Sequence, residues 1–195
     1  MSKYYAIKKG RKTGIFNTWN ECKSYVDGYS GAVYKSFNSK EEADNYLNQI
    51  EINKDIEGLI AYVDGSYNIK TKEYGYGCVL IDDGKVVQTL SNKGNNKDYA
   101  SMRNVAGEIL GSLKAIEYAL NNNYPGIMIY YDYEGIEKWA NGSWKASKEG
   151  TKEYVSLINK YSTNIDIGFI KVLAHSGDTY NEMADQLAKK SVGVK

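Results

Sequence analysis

Apolar and polar positions change rhythm along this chain near residue 58. Before it the apolar runs are short. YYAIKK and GIFNTW read as two strands around the turn GRKTG, whose glycines can take the backbone conformations a tight turn requires. Thr18 with Glu21 forms a capping box and predicts a helix to about Asp27, ahead of Gly28. AVYKSF, residues 32–37, predicts a third strand, and Ser39 with Glu42 forms a second capping box for a helix to about Ile50. Residues 1–50 therefore form a small three-stranded ββαβα module. EINKDIE, residues 51–57, is polar without a period and reads as a linker.

From Gly58 the runs lengthen. GLIAYVD is continuously apolar up to its aspartate, as for a strand buried on both faces; YGYGCVLI and KVVQTLSNK follow as strands around the DDG turn at 82–84. Residues 103–121 read as a helix with Val105, Ala106, Ile109, Leu110, Leu113, Ile116 and Leu120 on one face. GIMIYYD is a second buried strand. Helices at about 134–141 and 148–162, a strand IDIGFIKV and a last helix from about Asn181 complete the pattern. Three antiparallel strands followed by alternating strands and helices predict an α/β domain over 58–195, a five-stranded mixed sheet flanked by helices.

Composition adds a division of charge. Eight Lys or Arg against two acids give residues 1–40 a net +6, so the rest of a chain of net +1 sums to −5. A small basic module joined to a larger acidic domain points to a polyanionic partner. No apolar run is long enough to span a membrane, and the start MSKYYAIKKG has no apolar segment behind its charges, so a cytoplasmic protein without a membrane partner is expected. Two distant cysteines and a single histidine leave zinc almost no ligands; any metal must be held by oxygen.

Carboxylates supply that oxygen. Asp64 and Asp132 each close a buried apolar run, and in open α/β sheets the ligand crevice lies at the carboxyl ends of strands. The plainer alternatives are a turn at Asp64-Gly65 and a helix cap at Asp132. Glu108 falls beside Ser112, Ala115 and Ala119, a flank of small residues that can approach a sheet closely. Asp185, with Met183, Ala184, Leu187 and Ala188 as the buried face, lies toward the polar side and reads by periodicity as a surface acid. His175, the only histidine, is either a polar residue of a loop or a chemical group. Several carboxylates brought together suit magnesium, and two such ions roughly 4 Å apart can activate water and stabilise the leaving oxygen of a phosphodiester.

Taken together, DGS at 64–66, NVAGE at 104–108, Asp132 in YYDYEGIEKW and HSGDTYNEMADQLA ending on Asp185 resemble the four-carboxylate signature of type 1 ribonuclease H, in order and in approximate spacing. Residues 4–37 resemble the hybrid-binding, viroplasmin-like domain found at the N-terminus of many members of that family. The resemblance implies the ribonuclease H fold and a magnesium-dependent endonuclease, with manganese able to substitute, that cuts the RNA strand of an RNA–DNA hybrid and leaves 3′-hydroxyl and 5′-phosphate ends. It implies that Asp64, Glu108, Asp132 and Asp185 hold two ions, one at Asp64, Glu108 and Asp132 and the other at Asp64 and Asp185. His175 becomes a mobile-loop group assisting proton transfer or product release. Asn104, and less directly Asn68, become contacts to the nucleic acid; a 2′-hydroxyl partner for Asn104 fits, since that group separates RNA from DNA. Trp19 and Tyr34 correspond to aromatic positions that pack on the DNA strand, and Lys35 to a phosphate contact.

Tyr133 stands where serine is common, and WANGSWKASKEG is too short and too poorly basic to form the protrusion some relatives use to hold substrate. Its work could fall to the N-terminal module, tethered by the linker. No protein partner is implied, and a monomer is expected. The rival reading is a non-catalytic protein that binds RNA–DNA hybrids or double-stranded RNA and keeps the larger domain as a scaffold.

Overall fold

The computed structural model describes residues 3–47, 56–172 and 178–194, and the chain divides into two compact units at 49/50. In the first unit, β1 (Tyr4–Lys9), β2 (Gly14–Phe16) and β3 (Val33–Phe37) form an antiparallel sheet in the order β2-β1-β3. α1 (Trp19–Val26) packs across β1 and β2; α2 (Lys40–Leu47) packs across all three strands. β2 ends three residues before the predicted strand does, and Thr18, still extended in backbone, caps α1 by accepting from the Glu21 amide. The second capping box is reciprocal: Ser39 Oγ accepts from the Glu42 amide, and the Glu42 carboxylate accepts from the amides of Asn38 and Ser39. Ile7, Phe16, Cys22 and Val26 make up the small core. The predicted end of α2 at 48–50 and linker residues 51–55 lie outside the described residues.

The second unit has a five-stranded mixed sheet in the order β6-β5-β4-β7-β8, formed by β4 (Leu59–Asn68), β5 (Glu73–Asp82), β6 (Lys85–Lys93), β7 (Gly126–Tyr131) and β8 (Asp166–Lys171). β4, β5 and β6 run antiparallel to one another; β7 joins β4 in parallel and β8 joins β7 in parallel. The helices are α3 (Asn104–Asn121), α4 (Gly135–Ala140), α5 (Glu149–Tyr161) and α6 (Thr179–Ser191). This is the five-stranded mixed sheet with flanking helices that the pattern predicts. α6 starts two residues earlier than periodicity indicates, because Asp178 accepts from the amides of Tyr180 and Asn181. No helix among the described residues is long and apolar enough to cross a membrane.

Two departures from the sequence reading matter for the site. Asp64 does not end its strand: β4 continues to Asn68, paired with β5 the whole way, so Asp64-Gly65 is no turn. α3 also buries a wider face than its large residues mark: Ala106, Ile109, Leu113 and Ile116 are buried as predicted, Glu108, Ser112, Ala115 and Ala119 are buried beside them, and Val105, Leu110 and Leu120 are only partly so.

Glycines explain how closely the helices sit. A Cβ at Gly65 would overlap the Asn104 carbonyl and the Glu108 amide of α3; a Cβ at Gly77 would overlap the Ala184 carbonyl and the Ala188 amide of α6. α3 and α6 thus rest on the backbone of the β4–β5 pair. Gly77→Ala should therefore destabilise the protein by about 3 kcal/mol or more, as overpacking against backbone does. Gly84→Ala, with left-handed φ but open space, should cost only about 1–2 kcal/mol. Urea denaturation midpoints of the two variants check the order.

Candidate active site

The site lies where two neighbouring strands end unequally. The last register pair of β7 with β4 is Tyr62↔Tyr130, and β7 stops at Tyr131 while β4 runs on. Carried two residues further, the same register sets Asp132 beside Asp64. The missing β7 neighbour leaves a notch at Asp64, and α3 brings Glu108 to it. One ligand oxygen from each of Asp64, Glu108 and Asp132 lies within 4.8 Å of the others.

Burial and mutual repulsion dominate the electrostatics. Asp64 is pushed up to about 7, first by burial and then by the charge of Asp132. Glu108, 1% exposed, is pushed well above the usual carboxylate range by burial first and then by Asp132 and Asp64. Backbone amides orient both groups. The Gly65 N–H donates to Asp64 Oδ1 at 2.6 Å, and the Tyr133 N–H donates to the Glu108 carboxylate. Glu108 Oε2 is buried and has no hydrogen-bond partner, an expensive state for an oxygen that a ligand does not meet. Hard carboxylate oxygens with one unmet buried acceptor are the donor set a magnesium-like cation takes.

Asp185 is not among the three gathered acids. It sits on α6, its side chain 26% exposed, and Lys189 Nζ holds its Oδ2 at 2.7 Å. Its charge nevertheless reaches Asp64, as does that of Lys189. Lys189 is the charged neighbour that sequence reasoning missed, although its i,i+4 spacing from Asp185 is an ion-pair signal. His175 falls in 173–177, outside the described residues.

The expected nucleic-acid contacts fall into distinct settings. Asn104 is exposed at the start of α3, one turn before Glu108. Arg103, immediately before it, has φ 55° and ψ −128°, a backbone that non-glycine residues rarely adopt, so strain is concentrated in the turn that starts this helix. Asn68 is engaged inside the protein: Nδ2 donates to the Val192 carbonyl at 2.8 Å, and Oδ1 accepts from the amides of Lys70 and Thr71. In the first unit Trp19 and Tyr34 are exposed, with ring centroids 5.8 Å apart, and Tyr5 stands 5.7 Å from Trp19. Lys35 alternates to the other face of β3, where its ammonium lies 5.6 Å from the Phe37 ring.

Known proteins match both units. Residues 56–193 match the family model described as RNase H, and residues 3–47 match that of the Ribonuclease H1 N-terminal domain. Human Ribonuclease H1 is 27% identical over 252 residues, covering 96% of this chain and 88% of its own length. A Ribonuclease H of Saccharomyces cerevisiae is 65% identical over 46 residues, which is 24% of this chain and 13% of that protein. Among solved structures, the RNase H1 of Halobacterium salinarum aligns with a TM-score of 0.59 at 22% identity, covering 69% of this chain and 97% of its own. LC11-RNase H1, solved in complex with an RNA/DNA hybrid, aligns at 0.55 and 17% identity over 69% of this chain and 99% of its own. The RNase H model spans well over half of the sequence and takes in all of the clustered carboxylates, and on that ground the chain belongs to the ribonuclease H family.

Proposed function

We propose that this protein is a divalent-metal-dependent endonuclease that hydrolyses the RNA strand of RNA–DNA hybrids, leaving 3′-hydroxyl and 5′-phosphate ends, and that its N-terminal unit binds the hybrid. The observation that carries the reading is the carboxylate notch, with three acids from β4, α3 and the end of β7 and an unmet Glu108 oxygen. The family match over both units supports it, and the substrate class follows that of the relative solved with an RNA/DNA hybrid.

Magnesium, when bound by Asp64, Glu108 and Asp132 with a second ion toward Asp185, supplies water activation and neutralisation of charge at the scissile phosphate. The rest is the work of the chain. The amides of Gly65 and Tyr133 each hold an oxygen of a neighbouring acid, which fixes the direction of the lone pairs offered to the notch. α3 blocks water from the back of Glu108, and the exposed Asn104 stands one turn away, where a ribose hydroxyl can be read. Trp19 and Tyr34 offer aromatic surface, and the basic residues of the first unit neutralise phosphates, a combination that tolerates any base sequence.

Asp132→Asn should abolish magnesium-dependent cleavage of a labelled hybrid while leaving its affinity nearly unchanged; substantial turnover in that variant would sink the assignment. Intact but shifted hybrid from the wild-type protein with magnesium would favour a binding protein instead. Trp19→Ala should weaken hybrid binding and reduce activity on long substrates more than on short ones. Equal losses on both lengths would point to misfolding of the first unit.

Stability should carry the signature of the crowded acids. Folding raises the Asp64 pKa, so the folded state holds that proton more tightly than the unfolded state, and stability falls as pH rises from about 4 through about 7. Asp64→Asn removes the penalty. In EDTA the variant should melt several degrees above the wild type at pH 8, with a smaller gain at pH 5, and magnesium should restore the wild type alone. Thermal denaturation at the two pH values checks it.

A further inference from the structure

We propose that Lys189 is the counter-cation of this site in its metal-free state, occupying the Asp185 side of the notch so that a second divalent ion enters only by displacing it. The inference rests on the carboxylate reading above and adds a residue to it.

Register and packing place α6 beside the notch. Asp64 pairs directly with Gly77, and directly paired residues of neighbouring antiparallel strands point to the same face. The space a Gly77 side chain would fill is taken by the Ala184 carbonyl, the Leu187 Cβ and the Ala188 amide. The helix segment bearing Asp185 and Lys189 thus passes over the strand position next to Asp64, and the i,i+4 spacing sets the two side chains on one flank.

Charge follows from that placement. Lys189 Nζ lies 2.7 Å from Asp185 Oδ2, with the side chains 38% and 26% exposed. Its ammonium lowers the proton affinity of Asp64, while Asp64 and Asp185 both raise that of Lys189. Lys189 is thus ion-paired to Asp185 outside the three-carboxylate cluster, on a helix segment that passes over the strand position beside Asp64 inside it. A divalent ion shared by Asp64 and Asp185 would need the same oxygens and would meet a positive charge on arrival. Lys189 is partly in solvent on a long stem, so it can swing away once an ion or a phosphate takes over its partner.

Manganese binding without nucleic acid tests this, read from the electron paramagnetic resonance signal of free Mn2+. Wild-type protein should bind one ion well and a second weakly. Lys189→Met, which keeps the apolar stem, should tighten the second ion about five- to ten-fold, as removal of a nearby unit charge does. Lys189→Gln should do the same, Lys189→Arg should resemble wild type, and Asp185→Asn added to Lys189→Met should cancel the gain. A wild-type-like isotherm for both Lys189→Met and Lys189→Gln overturns the inference while leaving the carboxylate reading intact. Wild-type protein that binds no manganese overturns the carboxylate reading and this inference with it.

Discussion

Repulsion among three carboxylates governs this structure. Asp64, Glu108 and Asp132 are held with oxygens inside 4.8 Å, and Glu108 is almost wholly out of water. Left to themselves such groups separate or take up protons. The fold prevents separation by fixing each acid to a different rigid element: Asp64 within a fully paired strand, Asp132 at the end of its parallel neighbour, and Glu108 on a helix seated against glycines. What remains is a site that gains stability from whatever positive charge enters it.

The glycines make that fixation practicable. Gly65 and Gly77 sit on adjacent strands, and each is the place where a helix backbone meets the sheet. Gly107 on α3 completes the contact, since a Cβ there would overlap the Gly75 carbonyl. With side chains at these positions α3 and α6 would ride further out, and both Glu108 and Asp185 would move away from Asp64. Close backbone packing, usually a matter of stability, here sets the spacing of charges.

Much of this was legible in the sequence, for different reasons in different places. Buried runs and capping boxes mark the strands and most helix starts because they depend on neighbours in the chain. The small-residue flank of Glu108 was visible on a helical wheel, but the larger side chains drew the apparent core face away from it. Asp64 looked like a strand end because the apolar run stops there, whereas pairing with β5 carries the strand four residues further. The ends of two buried runs already pointed Asp64 and Asp132 to one crevice, but bringing Glu108 to them depends on α3 packing, which no local pattern encodes; the family resemblance added that third acid. Asn68, the weaker of the two asparagine candidates, has its amide engaged by its own turn and by the Val192 carbonyl.

The first unit poses a different question, that of how exposed aromatic and basic side chains are arranged on one small sheet. Trp19, Tyr5 and Tyr34 cluster on the α1 side of the sheet, while Lys35 and Phe37 lie on the α2 side with Tyr46. Alternation along β3 forces that split, because Tyr34 and Lys35 are consecutive. In the order β2-β1-β3, however, β3 is an edge strand, so side chains from both of its faces border the same open rim. A nucleic-acid strand lying along that rim can meet aromatic surface from one face and ammonium groups from the other. Under the proposed function, aromatic packing and phosphate neutralisation would act on one strand from opposite sides, and neither would require a particular base.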